Sequence, residues 1–472
     1  MFANMPVISS ATLRHSSLVR STKSRLLGLL GVLLPLLPAC SSTYLTDGVV
    51  TITTGQESDA WTAEPVAQNV VLELVQSSGR TPLANVSAPA TEITIGTGGP
   101  SNTIASFDAT AFDANANPVL KGSTVKLAIV GFEDAQVSLF MGRVGSLSRP
   151  PGDLVFPRRH PTLAILYHGY LLISGGDSGQ PNLDIYDMVL WKAAPKQPSL
   201  PKVPESWAVA GSKVLLIDHG GPLWLDMSTF TTSVVDAPVG LDFADVVGGE
   251  TITAPDDTQY IVGSTRATGP ATDVVLRVDP DATLHLMKLG TARLGAAAAM
   301  VNSQLLVVGG ADSGAGAEVS DASGSSFTPL PFASDATQGA ALVAPDATTA
   351  VLAGGRDPAT DEIVGFRTMD LGCQDECAPI AIEKADFPFD YPRLFALSAE
   401  QLLAVGEDPT SGETHVFTFD TGLGHAQNEI ALRVPRTGAS AFMLPNGQVG
   451  VLGGDALADK IPAMSVELFV PQ

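Results

Sequence analysis

Short apolar runs and tight polar turns alternate through the C-terminal two thirds of the chain. The same unit recurs seven times: an apolar strand, a polar turn, and a second apolar strand that ends in a glycine pair or its remnant. The turns begin at Tyr167, Ala210, Pro255, Val301, Pro345, Ser398 and Pro445. The steps between them are 43, 45, 46, 44, 53 and 47 residues. A period near 45 residues with several strands per unit predicts a seven-bladed β-propeller over residues 136–472.

The fourth unit contains the four antiparallel strands that make one blade, at 295–301, 304–308, 317–321 and 326–330. The seventh unit shows only three strands, at 437–444, 448–452 and 464–470. An open sheet edge would expose unpaired backbone groups, so a fourth strand is expected from elsewhere in the chain. We expect residues 136–144, which precede the first blade, to supply this strand and close the ring.

A different pattern precedes the repeats. Residues 66–135 contain four or five short β-rich runs split by Gly, Pro and Asn, which predicts a small antiparallel β-sandwich. Within it, residues 107–129 resemble the middle hairpins of bacterial immunoglobulin-like domains. Asp113, Asn115 and Asn117 alternate like a calcium loop but lack its glycine and glutamate, so we interpret them as a turn. Residues 40–65 are rich in Ser, Thr and Asp and are interpreted as a flexible tether.

The first 39 residues have the pattern of a secretory signal. Four basic residues and no acidic ones precede an apolar run at 26–37, which ends in Leu37-Pro38-Ala39-Cys40. A dozen apolar residues are too few to span a bilayer, which needs about 20. The last four residues resemble a bacterial lipobox, and this resemblance implies that Cys40 is lipidated and becomes the mature N-terminus. The alternative is an ordinary signal peptide cut nearby, with Cys40 incidental.

Charge narrows the possible partners. Removal of residues 1–39 leaves 22 basic and 49 acidic residues, a formal charge of −27. Such a surface repels nucleic acid and anionic lipid. We therefore expect no nucleic-acid partner, and a monomer held to the membrane by the lipid on Cys40. The expected location is the cell envelope, with the outer membrane or cell surface favoured.

Two other cysteines, Cys373 and Cys377, stand in the sequence CQDEC within the longest step between turns. A metal site is one interpretation, but no second cysteine pair or neighbouring histidine completes it. In an oxidising compartment a local disulfide is the better interpretation. We expect the pair to fasten a lengthened hairpin.

Two longer stretches resemble kelch repeats of the galactose-oxidase-like kind: TARLGAAAAMVNSQLLVVGG (291–310) and VPRTGASAFMLPNGQVGVLGG (434–454). Tyr186 and Trp191, after the glycine pair of the first unit, resemble the aromatic pair of that family. The resemblance implies a kelch propeller but no activity, because the family includes enzymes, adhesins and scaffolds. The copper chemistry of galactose oxidase needs a tyrosine cross-linked to a cysteine and clustered histidines. Neither pattern is present here, so we expect no copper and no other cofactor.

Arginines stand at the start of four predicted inner strands, 16, 16, 13 and 17 residues before the glycine that ends the second strand: Arg159, Arg293, Arg393 and Arg436. Acidic residues follow those glycines on the same predicted rim: Asp177, Asp312, Glu407 and Asp455. One interpretation is an arginine–acid pair within each blade. The alternative is a ring of guanidinium groups that binds carboxylate or phosphate. In the fifth unit Gln338 replaces the arginine and Arg356 follows the glycines, an exchange that favours pairing.

These features favour a non-enzymatic surface lipoprotein whose propeller binds a protein or a glycan. One competing hypothesis is a carbohydrate-active enzyme, mutarotase-like or lyase-like, that holds acidic sugars at the propeller rim. In that case Glu407 and His160 are the candidate proton carriers, by predicted position alone. The third hypothesis is a structural component of the envelope. No residue is assigned a catalytic role from the sequence.

Overall fold

A computed structural model describes most of the chain, and its regular secondary structure is almost entirely β. Two short 3-10 helices, Phe243–Asp245 and Gly263–Thr265, are the only helical elements in the described ranges. The strands form many small sheets, most of them antiparallel, and the all-β class is confirmed. The described residues are 7–8, 48–95, 103–129, 136–166, 169–176, 181–375, 377–381, 389–421 and 425–471.

Seven sheets have four strands each, and we number them I to VII. Sheet I contains Thr162–Leu166, Tyr170–Ser174, Asp184–Asp187 and Lys192–Ala193. Sheet II contains Ser206–Ala210, Lys213–Asp218, Gly221–Asp226 and Thr231–Ser233. Sheet III contains Glu250–Thr253, Gln259–Val262, Thr272–Val278 and Leu284–Arg293. Sheet IV contains Ala297–Val301, Gln304–Val308, Ala317–Ser320 and Phe327–Leu330.

The remaining three sheets follow the same order. Sheet V contains Gln338–Val343, Thr349–Arg356, Arg367–Asp370 and Ile380–Ala381. Sheet VI contains Asp390–Ala396, Gln401–Glu407, Thr414–Asp420 and His425–Glu429. Sheet VII contains Ser440–Met443, Val449–Leu452, Glu467–Phe469 and the distant strand Leu147–Ser148. A two-stranded sheet of Arg436–Thr437 and Asp455–Ala456 lies beside it in sequence.

Each of these sheets shares a buried hydrophobic cluster with the sheet before it and the sheet after it. Leu172 of sheet I packs in one cluster with Leu216 of sheet II, whereas the adjacent Leu171 packs in another with Leu452 of sheet VII. Successive side chains of a strand point to opposite faces, so the second strand of each sheet is buried on both. This double burial explains why those strands are continuous apolar runs such as YLLIS and QLLVV.

The first and second strands are joined by the tight turns that the sequence predicts. In sheet IV, Val301 pairs with Gln304, and the two residues between them have left-handed backbone: Asn302 at φ +47° and Ser303 at φ +66°. Two consecutive residues with positive φ match the twist of a two-residue β-hairpin. The turn at Asp113 is also confirmed, since its Oδ1 accepts the N–H groups of Asn115 and Asn117.

Two further sheets precede sheet I and face one another across a shared core that includes Val50, Leu72, Phe107 and Leu139. One has three strands: Gly48–Thr53, Glu92–Ile95 and Gln136–Phe140. The other has seven: Val7–Ile8, Asn69–Gln76, Gly79–Ser87, Thr103–Phe112, Pro118–Ser123, Leu127–Ile129 and Gly142–Arg143. The same cluster continues into sheets I and VII, so these sheets are packed against the repeats.

Two sequence expectations need correction here. Residues 136–144 do not complete sheet VII, because Gln136–Phe140 pairs with Gly48–Thr53 and Gly142–Arg143 pairs with Pro118–Ser123. The strand that pairs with Glu467–Phe469 is Leu147–Ser148, only two residues long and too short to stand out as an apolar run.

The predicted tether is also shorter than expected. Residues 48–53 form a strand with Val50 and Ile52 buried, so alternating apolar positions outweigh the high Ser and Thr content. Glu57 is buried as well and accepts hydrogen bonds from the backbone and the Nε of Arg149. Cys40 and residues 9–47 lie outside the described ranges.

Leu147 provides a test of how much sheet VII depends on its distant strand. The side chain is fully buried among Val449, Val451 and Phe469. We expect Leu147→Ala to lower the free energy of unfolding by about 2–5 kcal/mol, because the cavity cannot fully collapse. The measurement is equilibrium urea denaturation of the mature chain. Leu190→Ala is the matched control, since Leu190 is 48% exposed. Equal effects of the two substitutions would mean that this strand contributes little.

Candidate functional site

Three buried arginines make the same contacts in sheets I, IV and VII: Arg158, Arg293 and Arg436. Each lies a few residues before the first strand of its sheet and donates to the carbonyl oxygen of the first residue of a glycine pair. The acceptors are Gly175 at 3.2 Å, Gly309 at 2.8 Å and Gly453 at 3.2 Å. Each arginine also pairs with a carboxylate on the third strand: Asp184, Glu318 and Glu467 respectively. We call this arrangement an arginine clip.

The carboxylate of each clip also holds the incoming chain. It accepts backbone N–H groups two and three residues before the arginine, as Glu318 does from Thr291 and Gly290. Asp184 and Glu467 make the equivalent pairs of bonds. Burial works against the charged forms, raising the pKa of Asp184 and lowering the pKa of Arg436, and in each case the ion-pair partner opposes it. The clip therefore fixes the start of the first strand to the third strand of the same sheet.

The clips revise the arginine–acid pairs expected from the sequence. Arg293 and Arg436 do pair within their own sheets, but with acids on the third strand rather than with Asp312 and Asp455. Asp312 is exposed, and no arginine in the described ranges pairs with it. The carboxylates that do pair, Glu318 and Glu467, stand on the third strand, after the loop that follows the glycines. Asp312 and Asp455 are closer to the glycines in sequence, and the prediction therefore chose the wrong carboxylates. Asp177 lies outside the described residues.

In sheet I the buried arginine is Arg158 and not the expected Arg159. The spacing did not decide between them, since clip arginines stand 16 residues before the glycine in sheet IV and 17 in sheet VII, which fits Arg159 and Arg158 equally. Arg159 is 44% exposed, and its Nε lies 3.5 Å from Asp455 of the two-stranded sheet. This ion pair therefore joins the segment before sheet I to the two-stranded sheet of Arg436–Thr437 and Asp455–Ala456.

Sheet V carries the exchanged charges that the sequence suggested, but on other residues. Arg367 stands on the third strand and binds Asp335, which precedes the first strand, at 2.8 Å. Burial opposes ionisation of Asp335, but Arg367 and the Thr337 N–H outweigh it and hold the pKa of Asp335 below its usual value. Arg356 instead binds Asp390 at the start of sheet VI, at 2.9 Å. It also contacts Asp361 in the next loop of sheet V, so it both joins two sheets and pairs inside one.

A separate group of side chains joins sheet I to sheet VI. His160 Nε2 lies 2.9 Å from Oε1 of Glu407, the last residue of the second strand of sheet VI. The ring of Tyr391 stacks on His160 with centroids 4.9 Å apart. The side chain of Glu407 is 9% exposed and that of His160 25%, whereas Tyr391 is 67% exposed. We call these three residues the His160 cluster.

Backbone geometry at the His160 cluster is unusual. His160 has φ +46° and Tyr391 has φ +50°, in the left-handed region that costs a residue other than glycine about 1 kcal/mol or more. Tyr391 lies in an irregularity of the strand pairing between Asp390 and Arg393. Such bulges redirect side chains and are frequent beside functional sites. Strain at both partners of one ring contact marks this position as a candidate site.

Gly438 allows the segment that carries His160 to cross the chain before sheet VII. The His160 N–H donates to the Gly438 carbonyl at 2.8 Å, and Gly438 itself has φ +73°. A Cβ at this position would lie 2.7 Å from Nε of Arg159. The missing side chain therefore permits the close approach that brings His160 to Glu407.

The structure thus brings together two residues that the sequence named as candidate proton carriers, His160 and Glu407. The sequence paired Glu407 with Arg393, but Arg393 is exposed and its guanidinium bonds to the carbonyl of Pro392 at 3.1 Å. Tyr391 was missed, because a bulge cannot be read from an apolar pattern. Its position directly after Asp390, where the strand begins, was the only available signal.

The disulfide between Cys373 and Cys377 is confirmed. It closes the loop between the third and fourth strands of sheet V. The Cys377 N–H donates to the Pro331 carbonyl, and Cys377 forms an isolated parallel bridge with Phe332 next to sheet IV. The disulfide therefore stiffens a loop that reaches across to the neighbouring sheet.

Within the described ranges, no group of three or more His, Cys, Asp and Glu side chains is placed to hold a metal ion. In the same part of the chain, no helix has the length and apolar character needed to cross a bilayer. Compared with protein-family models and with curated proteins, the chain gives no match.

Arg293 tests the structural importance of a clip. Its side chain and that of Glu318 are 0% and 1% exposed. We expect Arg293→Met to lower the free energy of unfolding by about 3–5 kcal/mol, since it leaves a buried carboxylate without its cation. The double variant Arg293→Met/Glu318→Leu should recover part of this loss. Urea denaturation measures both.

Arg393→Met is the matched control for this experiment, because Arg393 is exposed and pairs with no carboxylate in the described ranges. It should change stability by about 0.5 kcal/mol or less. A loss of similar size in both arginine variants would contradict the structural role of the clip.

Proposed function

We propose that the chain is a lipid-anchored cell-envelope protein with a seven-bladed kelch-like β-propeller that binds a glycan at the His160 cluster. Seven successive four-stranded sheets, each sharing a buried cluster with its neighbours, support the propeller. A buried cluster that sheet VII shares with sheet I supports closure of the ring. The kelch-like stretches at 291–310 and 434–454 support the same proposal.

The exposed ring of Tyr391 carries the functional part of the proposal. One face of the ring rests on His160, and an exposure of 67% leaves the opposite face open to solvent. The electron-rich face of an aromatic ring attracts the weakly positive C–H groups of a sugar ring. Glu407 and His160 add hydrogen-bonding groups for hydroxyls beside that face. A strained backbone that presents an exposed aromatic ring needs a reason other than stability.

A glycan is favoured over a protein partner because the exposed apolar surface is scattered. A stable protein interface buries about 800 Å² on each partner around an apolar centre. In the described ranges the large exposed hydrophobic side chains are spread over several sheets and loops, and only Val234 and Val239 share a loop: Val155, Leu190, Val234, Val239, Ile380, Tyr391 and Ile461. Single exposed apolar residues of this kind do not form such a centre.

The anchor and the N-terminal domain complete the proposal. Lipid on Cys40 would hold the mature protein at the membrane. The two facing sheets, without the strand Val7–Ile8 that cleavage before Cys40 would remove, would act as an immunoglobulin-like stalk, since their core continues into sheets I and VII. A stalk joined to the propeller by a shared core would present it as a rigid unit.

A second candidate function is enzymatic turnover of acidic sugars. The observation that favours it is the 2.9 Å bond between His160 and Glu407, since a carboxylate that orients an imidazole prepares it for proton transfer. Nuclear magnetic resonance of glycans incubated with the protein separates turnover from binding. Glu407→Gln should abolish any turnover that depends on this pair.

Tyr391 tests the glycan site. We expect Tyr391→Ala to abolish glycan binding on an array of bacterial and plant oligosaccharides, because the stacking face is removed. The melting temperature should stay within about 2 °C, since the side chain is largely exposed.

Tyr391→Phe is the control, since it keeps the ring and should keep binding. Unchanged binding by Tyr391→Ala would place the glycan elsewhere. If the wild-type chain binds no glycan and turns none over, the proposal fails and a structural role in the envelope takes its place.

Cys40 tests the anchor. We expect Cys40→Ser to move the protein from the membrane fraction to the soluble fraction of cells that express the full chain, because serine cannot carry the thioether-linked lipid. Metabolic labelling with palmitate should mark the wild-type chain and not the variant.

Cys373→Ser is the control for this experiment and should leave the protein in the membrane fraction. Labelling that persists in Cys40→Ser would contradict lipidation at this position.

A further inference from the structure

Arg393 lies two residues after Tyr391 in the first strand of sheet VI, and its side chain is exposed. Its guanidinium makes one hydrogen bond, to the carbonyl of the adjacent Pro392. None of the carboxylates in the described ranges lies within ion-pair distance of it, although the chain carries 49 acidic residues against 26 basic ones. An exposed arginine without a carboxylate partner is unusual on so acidic a protein.

The neighbouring arginines are occupied. Arg356 is held by Asp390 and by Asp361, and Arg159 lies against Asp455. Arg158 is paired with Asp184 in the arginine clip of sheet I. Among the arginines of the described ranges named here, Arg393 is therefore the one whose hydrogen-bonding capacity is left for a ligand.

The strand places this cation next to the stacking surface. Tyr391 and Arg393 are both exposed, whereas Pro392 between them is buried, so the two side chains lie on the same solvent-facing side of this segment. A guanidinium has a planar fork of donors that matches the two oxygens of a carboxylate. A sugar stacked on Tyr391 would thus carry an acidic substituent within reach of Arg393.

We infer that the glycan carries a carboxylate, as in a hexuronic acid, and that Arg393 selects it by pairing with this group. The inference rests on the proposed function of the His160 cluster. It adds the class of sugar and the residue that distinguishes an acidic sugar from a neutral one.

The experiment compares trigalacturonate with its methyl ester, which has the same shape without the charge. Isothermal titration calorimetry measures both ligands against the wild-type mature chain and against Arg393→Gln. We expect the wild type to bind the acid about three to ten times more tightly than the ester, because an exposed charge-assisted pair contributes modestly. In Arg393→Gln this ratio should fall to about one.

Two controls complete the design. Arg80→Gln removes an exposed arginine of the N-terminal sheets, 58% exposed and distant in sequence, and should keep the wild-type ratio. Arg393→Lys keeps the charge without the planar fork and should give an intermediate ratio. The preference of the wild type should also weaken as salt rises from 50 to about 500 mM.

The outcomes separate this inference from the proposed function. Equal affinity for acid and ester in the wild type, with binding lost in Tyr391→Ala, would overturn the inference and leave the glycan site intact. A preference for the acid that persists in Arg393→Gln would assign selection to another residue and also overturn it. Absence of binding to either sugar, together with a neutral oligosaccharide panel that fails, would overturn both.

Discussion

The position of His160 depends on a buried ion pair two residues before it. Arg158 and Asp184 are almost wholly inaccessible, and their bonds fix residues 155–158 against the third strand of sheet I. The chain that leaves this clip has little freedom, so the left-handed backbone of His160 is imposed by its surroundings rather than chosen by the residue. The same device recurs in sheets IV and VII, where no residue like His160 follows. The clip is thus a general element of the fold that sheet I uses to position a side chain.

Double burial of the second strands explains the rest of the architecture. A strand covered on both faces is mostly apolar, and its buried polar side chains, such as Ser174 and Gln259, stand at its ends. The shared clusters on its two sides join neighbouring sheets without long connections. The buried clips allow charge at the edge of this apolar interior, because each carboxylate and guanidinium satisfies several hydrogen bonds. Ionic contacts outside the clips, such as Arg356 with Asp390, join one sheet to the next.

Much of the fold was readable from the sequence, because it depends on local periodicity. Apolar runs and turn residues predicted the strands of the repeats, the hairpin at Asn302 and Ser303, and the turn at Asp113. The disulfide followed from spacing and compartment. The predictions that failed concern pairing between distant residues. Leu147–Ser148 is too short to show an apolar pattern, and Gly48–Thr53 forms a sheet with Glu92–Ile95 and Gln136–Phe140, which lie about 40 and 90 residues further along the chain.

The candidate site shows the same division. Charge and position at the ends of strands named Glu407 and His160 as residues of interest, and the structure brings them into contact. Their contact crosses from sheet I to sheet VI, which no local rule gives. The preference for Arg159 over Arg158 was an error of one residue in the irregular segment before sheet I, where Arg158 is buried and Arg159 is exposed. Tyr391 was beyond prediction, because a bulge is a mismatch between two strands.

Sheet VII is assembled from parts of the chain about 320 residues apart, Leu147–Ser148 and Glu467–Phe469. At a synthesis rate of about 5–20 residues per second, the first part waits roughly 16 to 64 s for the second to be made. Until then the strand Glu467–Phe469 has not been synthesised, so Leu147 has neither its pairing strand nor the core that buries it. Pairing over so long a separation is slow, since loop closure precedes any gain from contact. A second copy of the chain could supply the same two residues in the meantime, so this short strand is where exchange between molecules would begin.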